Sequence, residues 1–357
     1  MSVLQLYAGP SALSRIQEEG LHSELFDYML GASGGPKWFV LAGLDRVIFP
    51  ELFKQRRRPL HAIGSSAGAF RFACFAQNDS LSALNRLAER YSQTVYSAKP
   101  DAREISDKGR QLLDYVLGET GVDEILKNPV IKAHFIVARC RHLLASEGRM
   151  AQMTGLLASA GANFIRRNWL AGFYQRFSFG AVDAGLHIAD PWGMSCQQIA
   201  LSAENLHSAL MASGSIPLVL EGVKDIPGAP PGMYRDGGII DYHFDLQFGP
   251  TKGLILYPHF NARPVPGWFD KSLKSRRPAA ASYDKVLMLV PSAEFVAALP
   301  FAKIPDRKDF ESMPAPQRIA YWQKVLLESD RLGDAFMQLI DKRDIAHLVK
   351  PIDFCRT

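Results

Sequence analysis

The chain has 357 residues, 47% hydrophobic, 22% charged and 10% aromatic, a globular balance that excludes disordered, collagen-like and low-complexity classes. At roughly 150 residues per domain the length allows one large domain or two smaller ones. The formal charge of +5, from 41 basic against 36 acidic residues, is a mild excess that favours anionic surfaces without selecting one.

Residues 25–30 form a largely apolar run, followed by a Gly-rich break and a helical pattern over 38–46. A second apolar run, 60–63, is followed by another Gly-rich break and a helical pattern over 67–77. This alternation predicts an α/β fold, a sheet with helices on its faces. The basic run Lys54, Arg56, Arg57 and Arg58 lacks interleaved aromatics, so no nucleic-acid partner is expected and the run reads as a solvated loop. Residues 80–168 are mostly helical in pattern, with a strand over 130–138 where β-branched residues outvote helix. The uncharged stretch 150–165 holds Gln, Thr, Ser and Asn and falls short of the ~20 apolar residues a membrane crossing needs. Phe164, Trp169, Phe173 and Tyr174 alternate with Arg166, Arg167 and Arg176. That mixture suits a membrane interface, although aromatics in the core with arginines outside is the expected arrangement. Late strands are predicted over 253–257 and 285–290, a surface loop over 262–281, and a helical tail over 316–342. No domain boundary stands out, so 1–357 reads as one domain, the motifs lying in about 25–250 and the late strands and helices in 251–357.

Cys74, Cys140, Cys196 and Cys355 are dispersed, with no CxxC and no paired histidines, which indicates neither a zinc site nor a disulfide framework. The first twenty residues lack a basic start and apolar stretch, so no signal peptide is expected and a cytoplasmic location fits. No cofactor is implied, and the oligomeric state is open.

Two stretches match G-x-S-x-G. Gly64-Ser65-Ser66-Ala67-Gly68 follows an apolar run and leads directly into a helical pattern, the strand, tight turn and helix that a nucleophile elbow requires. Gly31-Ala32-Ser33-Gly34-Gly35 also follows an apolar run, but Gly34 resists helix and Gly35 precedes Pro36, so a helix can begin only at about Pro36. Ser33 is thus a rival nucleophile on a loop, and Ser66 is preferred. The Gly34 and Gly35 N–H groups are suited to an oxyanion hole. A nucleotide-binding loop would need G-x-x-x-x-G-K-[ST]. Lys37 is present, but Pro36 replaces the second glycine and Trp38 the hydroxyl residue.

A serine nucleophile needs a base. In the order usual after such an elbow an acid and then a histidine follow, and position makes His259 the candidate among His243, His259 and His347. The more distinctive feature is Arg235-Asp236-Gly237-Gly238: glycines let backbone approach the carboxylate and offer N–H groups to orient it. An Asp-Gly turn between strands is the ordinary alternative. If 241–245 is a strand, Asp241, His243 and Asp245 share one face and could hold a metal; plain solvent-facing alternation is the preferred reading, and no metal is expected.

A Gly-rich oxyanion loop, then G-x-S-x-G, then a late D-G-[GA], in that order, resembles the patatin-like phospholipase family, which uses a Ser-Asp dyad without histidine. The resemblance implies a three-layer α/β/α sandwich with a central, mostly parallel sheet and additional helices. It implies Ser66 as nucleophile, Asp236 as base, Gly34 and Gly35 with Ala67 as oxyanion donors, and Gly64, Gly68, Gly237 and Gly238 as motif glycines. Lys37 matches the basic residue after the loop, and Ala212-Ser213-Gly214-Ser215-Ile216-Pro217 is similar to the family's A-S-x-A-x-P stretch. The motifs span Gly31 to Gly238. The chain departs from the pattern at Ser33, Trp38 and Ser215 and in Asp241-Tyr242-His243-Phe244-Asp245 after D-G-G, which leaves the dyad intact and the substrate open. The implied activity is hydrolysis of lipid acyl esters, with peripheral contact to a membrane surface. The other readings are an esterase whose triad ends in His259 and a scaffold that keeps the fold without activity.

Overall fold

Apolar runs buried on both sides become the interior strands of one sheet. The computed structural model describes residues 2–182, 185–340, 342 and 344–356. Its strands are β1 (Leu4–Ala8), β2 (Phe26–Gly31), β3 (Leu60–Ser65), β4 (Ile131–Cys140), β5 (Tyr174–Gly180), β6 (Ile188–Ala189), β7 (Cys196–Ala200), β8 (Val223–Lys224), β9 (Met233–Asp236), β10 (Gln247–Phe248), β11 (Leu254–Pro258), β12 (Val286–Pro291) and β13 (Val349–Pro351). The sheet runs β13-β1-β12-β11-β2-β3-β4-β5-β7, with β9 also on β4 and β8 on β9, while β6 and β10 form a separate ribbon. From β12 to β4 neighbouring strands are parallel. β1 is antiparallel to β12, and β5 and β9 are antiparallel to β4. With thirteen α-helices among the described residues, this is an α/β architecture around a mostly parallel sheet.

The two-residue period of the strands divides their side chains between two layers. Leu60, Ala62, Leu254, Leu256, Leu287 and Leu289 join one core with residues of the flanking helices, such as Phe72, Leu113 and Trp322. Ile63, Ile255, Tyr257, Val286 and Met288 face the other way, onto Phe244, Leu246, Tyr283 and Phe354. Beyond them Ala138 and Cys140 meet the helix Arg149–Ile165 through Leu156. Among the described residues no helix is long and apolar enough to cross a membrane.

Several segments differ from the sequence reading. The helix expected over 38–46 begins as a 3-10 turn, Gly35–Leu41, and becomes α only at Ala42–Val47. The helical tail divides into Ala315–Glu328 and Asp330–Met337. At the break, the Gly43 N–H donates to the Ser329 hydroxyl at 2.9 Å, and a Cβ on Gly43 would lie 2.0 Å from the Ser329 carbonyl oxygen. Residues 262–281 are not merely a surface loop: Trp268–Ser272 forms a 3-10 turn whose Asp270 is fully buried on Arg167. Arg56 is buried too, donating to the carbonyls of Ser23, Arg58 and Pro59, while Arg57 and Arg58 remain exposed. In the aromatic and arginine segment the expected arrangement is partly reversed. Arg167 and Arg176 are buried, whereas Phe164 and Trp169 are exposed, because buried aspartates rather than solvent take up those two guanidinium groups.

Candidate active site

β4 has two edges. β5 occupies one of them from His134 to Cys140. Along the other, β3 pairs with β4 in parallel as far as Ser65 opposite Ile136, and antiparallel β9 takes over with Asp236 opposite Val137. The carboxyl ends of β3 and β9 therefore meet head to head, which brings Ser66 and Asp236 together across 170 residues of sequence. The Ser66 hydroxyl comes close enough to the Asp236 carboxylate to help hold its pKa down, and both residues line one cavity.

The turn after β3 is tight enough that Ser66 adopts φ 53 and ψ −126, a conformation costing of order 1–3 kcal/mol for a residue with a Cβ. Helix Ala67–Phe75 starts at once, and its Ala69 and Phe70 N–H groups bond the Ser66 carbonyl. Close backbone approach explains the flanking glycines. A Cβ on Gly64 would lie 2.4 Å from Gly68 backbone atoms, and one on Gly68 would lie 1.8 Å from the Gly31 carbonyl oxygen. The Ser66 N–H donates to Ser213 Oγ at 3.0 Å, and that hydroxyl donates to the Ile136 carbonyl at 2.8 Å. Two residues on, the Ser215 carbonyl accepts from the Asp236 N–H at 3.1 Å. The 212–217 stretch thus ties Ser66, the central strand and Asp236 together. Its resemblance to a family segment was visible in the sequence, but this positioning role was not.

Asp236 is 6% exposed, and its Oδ1 accepts the Gly238 N–H at 2.7 Å. Burial pushes the carboxyl up to about 6, while the Gly238 N–H, the Ser66 hydroxyl and the charges of Lys271 and Arg307 pull it down. At neutral pH it is mostly ionised, yet closer to the working pH than an exposed aspartate, as suits a general base. The two following glycines are required by space: a Cβ on Gly237 would lie 2.2 Å from the Ile136 carbonyl oxygen, and one on Gly238 would lie 2.3 Å from Ser33 Oγ.

In the preceding loop the unusual backbone falls on Gly34 (φ 155) and Gly35 (φ 55), which line the cavity with Ala67 and Ser66. Ser33 is buried, its N–H bonded to the Tyr242 carbonyl at 3.0 Å. Its hydroxyl lies 2.6 Å from Ser65 Oγ, which donates to the Asp241 carbonyl. Loop and elbow are fixed to each other through buried Asp45, held by both Arg71 nitrogens at 2.6 and 2.7 Å and by the Trp38 indole at 2.8 Å. Lys37 pairs with Asp306 on the same cavity wall.

His259 is fully buried and is not part of that wall. Its Nδ1 lies 2.6 Å from the Asn261 carbonyl oxygen and 2.9 Å from the Asn261 nitrogen, and its ring packs against His243 and Phe260. Burial pushes it down to about 3, so it would be a poor proton acceptor. Residues 241–245 are not a strand, and all three candidate ligands are buried rather than solvent-facing. Asp241 is clamped by Arg176, Asp245 accepts from the Trp192 indole and the Ala279 N–H, and His243 Nδ1 accepts the Val265 N–H. Among the described residues no group of three or more His, Cys, Asp or Glu could hold a metal.

The cavity measures about 1260 Å³. Beside Asp236 it presents Lys37, Lys271, Asp306 and Arg307, and elsewhere it is lined by Val95, Ile105, Leu112, Met211 and Leu220. Lys271, 3.7 Å from the centre of the Tyr242 ring, is pushed down to about 8 by burial and by Lys37. Sequence reasoning missed it because it lies in the stretch read as a surface loop.

No protein-family profile and no curated protein matches the chain. Among solved structures, the crystal structure of VipD from Legionella pneumophila is similar over 77% of this chain and 56% of that chain, at 11% identity and a TM-score of 0.30. Neither fold nor activity transfers at that level.

Proposed function

We propose that the chain is a serine acyl hydrolase of patatin-like α/β/α type, a single domain acting on lipid acyl esters through Ser66 and Asp236. Asp236 takes the Ser66 proton as the oxygen attacks the ester carbonyl, and N–H groups of Gly34, Gly35 and Ala67 receive the developing oxyanion. Collapse expels the alcohol, which takes up the proton, and leaves an acyl-enzyme. Asp236 then draws a proton from water, whose oxygen attacks the acyl carbonyl to release the acid and restore Ser66. The observation that carries the reading is the meeting of a serine at φ 53 with a buried carboxylate aligned by a glycine N–H, in a cavity edged by two left-handed glycines. The apolar lining suits an acyl chain, and the lysines and arginine beside Asp236 suit a polar or anionic head.

Labelling by a fluorophosphonate tests the reading. Wild-type protein is expected to label and Ser66→Ala to lose at least ~10³-fold in both labelling and ester turnover. A wild type that neither labels nor turns over a panel of lipid and short-chain esters would instead support the inactive scaffold.

A further inference from the structure

The helix Arg149–Ile165 is amphipathic the wrong way round. Its buried face includes Gln152, Ser159 and Asn163. Each is hydrogen-bonded: Gln152 accepts the Leu218 N–H at 3.0 Å, Ser159 donates to the Gly155 carbonyl at 2.7 Å, and Asn163 donates through Nδ2 to Asp270 at 2.7 Å, while its Oδ1 is buried without a partner among the described residues. The outward face carries Met150, Met153, Leu157 and Phe164, 74%, 39%, 72% and 70% exposed. Their spacings of three, four and seven place them on one stripe. Ile165 at its end, and Leu143 and Trp169 in the short turns packed beside the helix, are exposed as well. Contiguous exposed apolar surface of this kind marks a contact site.

Charge selects the partner. From Gly148 to Val182 the chain has four arginines and no Asp or Glu. Arg167 and Arg176 are consumed in buried pairs with Asp270, Asp190 and Asp241, leaving Arg149 and Arg166 exposed at the two ends of the stripe. A second copy docked face to face would stack arginine on arginine, whereas anionic head groups would neutralise both.

We infer that this face docks on an anionic phospholipid bilayer. The helix lies in the plane of the surface with its methionines, Leu157 and Phe164 below the head groups, Trp169 at the interface, and the arginines on phosphate. Its inner face bonds to neighbours of the cavity wall: Leu218 lies between the lining residues Pro217 and Val219, and Asp270 sits in the turn that carries the lining residues Trp268 and Lys271.

The full chain as Ser66→Ala, which consumes no lipid, is to be sedimented with vesicles of equal phosphatidylcholine and phosphatidylglycerol and with pure phosphatidylcholine vesicles. Partitioning is expected to favour the anionic vesicles, with Leu157→Glu/Phe164→Glu losing about tenfold or more and Arg149→Ala/Arg166→Ala losing severalfold on anionic vesicles only. Circular dichroism melting of each variant reports its fold independently of activity, so loss of hydrolysis leaves the test intact. Unchanged vesicle binding by the folded Glu variant, or no binding of the starting protein to anionic vesicles, would overturn the inference. So would a dimer, seen by light scattering, that the Glu variant abolishes.

Discussion

Ser33 and Ser66 occupy the same G-x-S-x-G spacing at the ends of adjacent parallel strands and border the same cavity, yet the chain treats them oppositely. After Ser66 a helix begins immediately, so the serine itself takes the positive φ, in the cavity that Asp236 also lines. After Ser33 two glycines and a proline delay the helix, the glycines take the positive φ angles, and the serine hydroxyl is spent on Ser65. The same spacing thus leaves a strained serine, the proposed nucleophile, at one strand end and a glycine loop that bears the strain, the proposed donor, at the other.

The strongest way to break this contrast is to remove the acid that only Ser66 meets. Asp236→Asn keeps the volume and the acceptor for Gly238, and is expected to lower kcat/KM by ~10³-fold or more. In the wild type, turnover should fall about tenfold per pH unit below about 6, where the carboxyl protonates. Stability should move oppositely. Because the folded carboxyl holds its proton more tightly than the unfolded chain, its ionisation in the core costs stability between about pH 4 and 6 and at all higher pH. Asp236→Asn should therefore raise the melting temperature at neutral pH, relieving up to about 3 kcal/mol. A variant that melts lower and retains turnover would dissolve the assignment.

A smaller effect tests the glycine side of the comparison. Gly34→Ala must hold a side chain at φ 155 with its Cβ 2.9 Å from the Phe260 ring; displacing the loop should cost ~10²-fold in turnover, measured on a short-chain ester with melting as control. Least affected should be Ser33→Ala and His259→Gln, each within about tenfold of wild type in turnover. Ser33→Ala loses a hydrogen bond worth about 1 kcal/mol, and His259 lies outside the cavity wall. A collapse of turnover in His259→Gln that retained the wild-type melting temperature would restore the triad.

Much of the site's local geometry was legible in the residues. Apolar 60–63, small residues at 64 and 68, and a helical pattern from 67 describe an elbow because only glycine tolerates backbone contacts near 2 Å, and such contacts are found at both positions. The edge strands were less legible: β7, reading Cys-Gln-Gln-Ile-Ala and largely exposed, has no apolar run to announce it. Asp236 was marked out by the two glycines after it, but nothing in the sequence says that Asp241, five residues on, is consumed by Arg176.

What the sequence by itself determined was each strand, turn and glycine whose conformation depends on its immediate neighbours, since sterics act over a few residues. Which acid meets which hydroxyl was decided by the edge of β4, where two strands distant in sequence end against each other. Which stripe of Arg149–Ile165 faces outward was decided the same way: Leu218 and Asp270 supply hydrogen bonds to its polar side, turning the apolar side to solvent against the usual rule. Both outcomes depend on partners brought close only by the folded chain, and a periodicity along the helix cannot name them.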